Sequence, residues 1–239
     1  MRILYIYPHP DDEAFGPAGV MAKQRRCGHE VYLLTLTRGG ATKVRHELGL
    51  SIEEMGKIRK EEMEDAAKVL DLNGVTVLDF PDSGLKELDP RDLEEVVREE
   101  ITRLRPHLIV SYPVHGVSGF HDHLVTHAVV KQVFCELREE IPELQRFAMT
   151  ALTEESAKRN SSGPFRLSGS SPEEIDCIEE VLDEEVEINR EALRCYKTYM
   201  EKITNAKVIE NRERTFSFEI FGEEHTPPLT DLLEGLHPL

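Results

Sequence analysis

The feature that most constrains the fold is an alternation of two patterns over residues 1–152. Short apolar runs rich in β-branched and aromatic residues, at 2–7, 31–37, 75–80 and 107–112, are typical of strands buried on both faces. Residues 17–27, 51–70 and 90–104 between them carry apolar side chains at helical spacing. This order predicts an α/β fold, with a Rossmann-like, mainly parallel sheet and helices on both faces.

The pattern weakens after residue 152. Residues 153–174 are polar and rich in Ser and Gly, which is typical of a mobile loop or lid. Residues 177–203 indicate a short strand and then a helix, and 214–222 alternate like a strand. We therefore predict one domain over 1–239, in which 1–152 form the core. Residues 153–239 are expected to form a C-terminal appendage that supplies a lid and completes the wall of a site.

Charge and cysteine content exclude several classes of protein. The net charge of -17 argues against a general binder of nucleic acid or of anionic membranes, since both need a basic surface. The four cysteines lie far apart without a CxxC pair, which favours free thiols in a cytoplasmic protein over a disulfide framework. No run approaches the ~20 apolar residues of a membrane span. Homo-oligomerisation stays open.

Polar clusters follow each of the first four predicted strands. They are "PHPDDE", "TRGGATK", "DFPDSG" and "PVHGVSGFHDH". Ligands of parallel α/β sheets bind outside the carboxyl ends of the strands, so we expect these four loops to form one site.

His9 and Asp12, three residues apart at the end of a strand, are candidate ligands of a metal ion. Asp11, Asp12 and Glu13 would repel one another without a cation, and a divalent ion compensates this charge. Without a third ligand, a turn whose carboxylates cap the following helix, with His9 incidental, is the better explanation of the stretch. The sequence "GFHDHLVTH" offers His123 at the mouth of the loop. Two histidines and one carboxylate suit a catalytic Zn²⁺ that keeps one position for water.

The other histidines of that segment are weaker candidates. His121 precedes His123 by two residues, and His127 follows it by four, on the same face of a helix. We interpret His127 as a partly buried or surface histidine of the helix and not as a ligand.

The chain resembles the LmbE-like (PIG-L) family of zinc-dependent deacetylases, which remove acetyl groups from N-acetylglucosamine conjugates. The resemblance rests on "PHPDDEAFGPAG", "IRKEEMEDAAKVL", "DFPDSG" and "GVSGFHDHLVTH", and covers residues 2–135 in order. It implies zinc, or another divalent metal, on His9, Asp12 and His123. It also implies that Asp11 is the general base, which takes a proton from water and gives it to the leaving amine.

One position departs from the family. The family's "HPDH" motif begins with a histidine that stabilises the oxyanion, and here Phe120 takes that place. Either His121, one residue later, replaces it on an irregular loop, which is the alternative we favour, or zinc polarises the carbonyl with less help. Asp122 retains the family's aspartate, which orients a histidine.

Two further matches concern the substrate. Arg59 corresponds to an arginine that faces the site in the family, although an exposed arginine paired with Glu62 fits the spacing too. Asp82 corresponds to an aspartate that holds sugar hydroxyls, and a turn-forming Asp is the alternative. His225 is left unassigned.

The resemblance implies an N-deacetylase of a small N-acetylglucosamine-type conjugate, with bacillithiol-type thiol biosynthesis as one setting. A thiol-conjugate amidase using the same site is the enzymatic alternative. The second alternative is a family member that binds a metal or a sugar without catalysis. The presence of Asp11 disfavours this alternative. A nucleotide-binding protein is excluded because the first turn lacks GxGxxG and would set carboxylates against a pyrophosphate.

Overall fold

A computed structural model describes residues 1–161 and 166–238 of the chain. Its strands are β1 (Arg2–Tyr7), β2 (Glu30–Thr37), β3 (Gly74–Phe80), β4 (Leu108–Ser111), β5 (Arg146–Ala151), β6 (Cys177–Glu180) and β7 (Thr215–Ile220). Its helices are α1 (Asp12–Phe15), α2 (Ala18–Arg26), α3 (Val44–Glu47), α4 (Ile52–Val69), α5 (Pro90–Leu104), α6 (His121–Leu137), α7 (Glu154–Asn160), α8 (Asp183–Cys195) and α9 (Met200–Asn205). Each strand and helix predicted before residue 108 is present, to within one residue at either end.

The chain packs into two compact units, each built from separate stretches. The first unit draws on Met1–Ile6, Leu85–Glu180 and Thr215–Leu239, and the second on Tyr7–Gly84 and Val181–Arg214. Residues 153–239 are thus shared between both units. The single domain with a boundary at residue 152 stays a prediction.

In the first unit the strands lie in the order β1-β4-β5-β7-β6. β1 pairs with β4 and β4 with β5 in parallel, whereas β7 is antiparallel to both β5 and β6. Every residue of β4 and β5 is buried, as expected of strands covered on both faces. The predicted appendage therefore includes two strands of the sheet.

In the second unit, β2 and β3 pair in parallel from Tyr32 and Gly74 onward. Helix α4 begins with a capping box, because the Glu54 N–H donates to Ser51 Oγ at 3.2 Å and the Ser51 N–H donates to the Glu54 carboxylate at 2.9 Å. Helix α8 packs against α2 and α4. The mainly parallel mixed sheet with helices on both faces confirms the predicted α/β class.

The predicted loop is wrong over residues 154–160, which form α7, whereas the role of this segment as a lid stays a prediction. Thr153 caps this helix by accepting a hydrogen bond from the Ser156 N–H at 3.1 Å, and Glu154 and Glu155 complement the helix dipole in the first turn. These capping signals outweigh the loop-like composition of the segment. Residues 162–165 of the predicted lid lie outside the described residues.

None of the helices in the described ranges is both long and apolar enough to cross a bilayer. Cys27, Cys135, Cys177 and Cys195 are free thiols.

Candidate functional site

The turn after β1, in the second unit, brings His9 and Asp12 together. The His9 N–H donates to Asp12 Oδ2 at 2.9 Å, and His9 Nδ1 lies 3.6 Å from the same oxygen. Asp12 is the first residue of α1. Asp11, directly before it, has a left-handed φ of 90°. The close approach predicted from the i, i+3 spacing is present.

Asp82, at the end of β3, contacts the same histidine. His9 Nε2 lies 3.2 Å from Asp82 Oδ1, and the Ala41 N–H donates to Asp82 Oδ2 at 2.6 Å. Burial raises the pKa of the Asp82 carboxyl, but the contacts with His9 and Ala41 outweigh it, so that the pKa lies below its ordinary value. Asp82 is therefore placed to orient His9, and its predicted contact with sugar hydroxyls stays a prediction.

Arg59 faces inward and binds the candidate base. Its Nη2 lies 2.8 Å from Asp11 Oδ2 and donates to the Pro10 carbonyl, and the guanidinium lies 4.3 Å from the centroid of the Tyr199 ring. Burial raises the pKa of Asp11 to about 6, although Arg59 acts to lower it. The side chain of Arg59 is only 2% exposed, so the surface alternative for Arg59 is wrong.

The alternative partner of Arg59 is engaged elsewhere. The Glu62 carboxylate accepts hydrogen bonds from the N–H and the hydroxyl of Thr198, each at 2.7 Å. Helical spacing alone could not reveal this contact, since Thr198 lies far along the chain.

Glu13 makes a structural contact. Its buried carboxyl in α1 accepts a hydrogen bond from the Tyr196 hydroxyl, and burial raises the pKa of Glu13 to about 8. Glu13 thus links α1 to the end of α8.

His123 lies in the first unit, in the first turn of α6. Its Nδ1 is 2.9 Å from the Gly116 carbonyl oxygen, and its ring stacks on Tyr112 with centroids 4.1 Å apart. A carbonyl can only accept, so Nδ1 carries the proton and Nε2 carries the lone pair. A neutral imidazole held in this way suits metal ligation through Nε2.

The neighbours of His123 have distinct environments. Asp122 is buried and accepts a hydrogen bond from the Leu85 N–H at 3.2 Å, which ties the start of α6 to the segment before α5. His121 is exposed at the first position of α6, and Phe120 is 54% exposed. His121 is therefore helical and does not lie on the irregular loop that we predicted. Its oxyanion role stays a prediction.

The remaining histidines have structural contacts. Buried His127 donates from Nδ1 to the Tyr112 carbonyl at 2.9 Å, and burial lowers its pKa. This agrees with the interpretation of His127 as a helical histidine. His225 Nε2 lies 2.8 Å from the Glu223 carboxylate, and its N–H donates to Asp176.

The donors of the site suit a divalent cation. In the second unit the carboxylates of Asp12 and Asp82 flank His9, and Asp11 lies in the same turn as His9 with Arg59 as its compensating charge. Buried carboxylates at this density are stabilised by a cation. Imidazole and carboxylate donors beside a further carboxylate can serve metal-assisted hydrolysis, and the α/β fold with this site defines a metal-dependent hydrolase.

The family follows from comparison with known sequences. The profile described as PIG-L, GlcNAc-PI de-N-acetylase, matches residues 4–134. The chain belongs to this family, which confirms the resemblance and the predicted class of enzyme, an N-deacetylase acting on amide bonds. A relative in Bacillus subtilis, described as a probable N-acetyl-alpha-D-glucosaminyl L-malate deacetylase 2, is 31% identical over 209 residues, covering 84% of each chain.

Solved structures share the fold. N,N'-diacetylchitobiose deacetylase from Pyrococcus horikoshii has a TM-score of 0.63 at 18% identity, covering 92% of this chain and 83% of that chain. The 4-carboxy-2-hydroxymuconate hydratase from Pseudomonas putida has a TM-score of 0.67 at 12% identity, covering 93% of this chain and 97% of that chain. Because one of these enzymes is a hydratase, the fold alone does not define the reaction.

Proposed function

We propose that this protein removes the acetyl group from a small N-acetylglucosamine-type conjugate by metal-assisted hydrolysis. One observation carries the proposal. Asp11 lies between His9 and Asp12 in the sequence, and Arg59 holds its carboxylate, whereas His9 and Asp12 contact each other. A protein that only binds a metal has no need of a third carboxylate fixed beside the ligands.

The ligands we propose are His9, Asp12 and His123. Their two imidazoles and one carboxylate match the donor set of catalytic zinc, and other divalent ions accept the same donors. When bound, the metal supplies a Lewis acid that polarises the amide carbonyl and makes water a better nucleophile near neutral pH. Asp82 orients the His9 ring, because its Oδ1 lies 3.2 Å from His9 Nε2.

Asp11 is the proposed general base. Its carboxylate accepts a proton as water adds to the amide carbon, and then gives that proton to the amine nitrogen as the C–N bond breaks. Acetate and a free amine are the products. Arg59 contributes by fixing the Asp11 carboxylate at 2.8 Å, which removes rotational freedom from the base. His121 is the proposed donor to the oxyanion that forms on the carbonyl oxygen.

The physiological setting we propose is biosynthesis of a low-molecular-weight thiol of the bacillithiol type, in the cytoplasm. The likeness to the Bacillus subtilis deacetylase, whose name specifies a glucosaminyl malate, supports an N-acetylglucosamine joined to a small acid. Homo-oligomerisation remains a prediction.

An amine-release assay tests the proposal. The zinc-loaded protein is assayed on N-acetylglucosamine joined to a hydroxy acid, to a polyol and to an alkyl group, and on a thiol-conjugate amide. We expect equal amounts of acetate and amine from a sugar conjugate, and about 10²–10⁴-fold slower release from the Asp11→Asn variant. Turnover of the thiol-conjugate amide alone would instead identify an amidase. Metal binding without turnover on any substrate would leave only a binding protein.

A further inference from the structure

The loop between β4 and α6, residues 112–120, sets the orientation of His123 through one backbone carbonyl. Gly116 O accepts from His123 Nδ1 at 2.9 Å. A Cβ at Gly116, where φ is 63°, would lie only 2.8 Å from the Cβ of His123. Since the backbone approaches the histidine this closely, a shift of the loop shifts the ring.

The conformation of this loop is unfavourable in isolation. Val117 has a φ of 56°, a left-handed conformation in which the branched side chain of an L residue crowds the backbone. Such residues persist only where surrounding contacts impose them. The loop therefore depends on whatever holds Val117 and the residues beside it.

Contacts on both sides of Val117 come from His115 and from the segment 168–170. The Val117 N–H donates to His115 Nδ1 at 3.1 Å, and the Val117 carbonyl accepts from the Ser168 N–H at 2.7 Å. The same His115 ring reaches the hydroxyl of Ser170, with Nε2 3.2 Å from Oγ. Ser170 is 1% exposed, so this contact is dehydrated.

The direction of these hydrogen bonds follows from the donors. Because the Val117 N–H can only donate, His115 Nδ1 accepts, and Nε2–H of the neutral ring donates to Ser170 Oγ. The Ser170 hydroxyl then donates to Glu219 Oε1, at 2.5 Å, from β7. Burial lowers the pKa of His115, which agrees with a neutral ring. The three side chains therefore form a chain of hydrogen bonds in which Glu219 orients Ser170 and Ser170 orients His115.

We propose that Ser170 and Glu219 are positioning residues for the metal centre, acting through His115 and the 112–120 loop on the ring of His123. They touch neither substrate nor metal. The inference rests on the proposed role of His123 as a ligand. By this inference two segments of the C-terminal region, β7 and the residues before β6, help to fix the geometry of the metal site.

The test compares variants of Glu219 and Ser170 in the full chain. Glu219→Ala and Ser170→Ala break the hydrogen-bond chain, whereas Glu219→Gln keeps an oxygen that accepts from Ser170. Glu224→Ala is the matched control, because it removes the same charge from an exposed side chain five residues away. His123→Ala is assayed in parallel. The readouts are zinc affinity, by competition with a chromogenic chelator, and the thermal midpoint of the metal-free protein.

We expect Glu219→Ala and Ser170→Ala to weaken zinc binding by about 10–100-fold, the usual effect of losing an outer partner of a metal ligand. Glu219→Gln and Glu224→Ala should bind zinc as the unmodified protein does. If the alanine variants lower the midpoint yet bind zinc normally, the chain is only structural and the inference is overturned. If His123→Ala itself binds zinc normally, the proposed ligand set fails instead, which is a separate result.

Discussion

Asp11 combines an unfavourable backbone with a buried charge. Its φ of 90° is in the region that residues with a Cβ rarely adopt, and its carboxylate is held by Arg59. The Asp11 carbonyl accepts from the Phe15 N–H at 2.9 Å, which closes the first turn of α1. Strain of this kind persists where the surroundings impose it and is frequent at functional sites. The i, i+3 spacing of His9 and Asp12 was readable from sequence, whereas the ion pair between Asp11 and Arg59 needed the fold.

Asp11→Asn should separate catalysis from metal binding. The amide keeps the size of the side chain but cannot accept the proton of the attacking water, so we expect kcat to fall by about 10²–10⁴-fold. Metal content should be unchanged because Asp11 is not a proposed ligand. Elemental analysis and amine release on the same preparation check both statements. Normal turnover in Asp11→Asn would assign the base to another group.

His121→Ala tests the proposed oxyanion donor. His121 is exposed at the start of α6, two residues before His123, so its loss should leave zinc content unchanged. We expect kcat to fall by about 10²–10³-fold, the effect of removing one oxyanion donor.

The companion variant Phe120→His restores the family's histidine at the position before His121. It should change the rate little if His121 already supplies the donor. A silent His121→Ala together with a faster Phe120→His enzyme would contradict this assignment and place the function at position 120.

The elements show which signals in a sequence are strong enough to define a structure. Helix α4 was predictable because its apolar spacing and its capping box agree. Helix α7 was missed because Thr153 and the acidic residues after it were outweighed by a polar, Gly-rich composition. Strand β5, "RFAMTA", was also missed, since its side chains are buried by neighbours distant in sequence and its own pattern is short.

Ser51→Ala should destabilise the protein through the N-terminus of α4. Ser51 accepts from the Glu54 N–H and belongs to an exposed capping box, so we expect a loss of about 1 kcal/mol in the free energy of unfolding. Ser51→Asn keeps a capping oxygen and should retain most of the stability. Urea denaturation of the three proteins measures the difference. Equal losses in both variants would show that the cap is not the cause.

At the scale of the whole molecule, the C-terminal region is the part that sequence reasoning described least. The α/β class was predictable, and so were the positions of His9 after β1 and of Asp82 after β3, because they follow from periodicity and from the position of polar clusters after strands. The contacts of 181–214 with α1 and α4, and of β6 and β7 with β5, join residues far apart in sequence. No local pattern encodes such pairings. The places that Tyr196, Tyr199 and Glu219 take in the fold could therefore not be predicted from the sequence.

Metal binding should raise the free energy of unfolding of the entire chain. A ligand that binds only the folded state stabilises it by RT ln(1 + [L]/Kd), or about 2.7 kcal/mol at a free concentration 100 times Kd. Zinc at this concentration should raise the free energy of unfolding by that amount, and a chelator should reverse it. His9→Ala and His123→Ala should lose the increment, whereas His46→Ala, which removes an exposed histidine of α3, should keep it. Unfolding of each variant with and without zinc measures the increment directly. If His123→Ala gains as much from zinc as the unmodified protein, then His123 is not a ligand, and the proposed metal centre must be built from other residues.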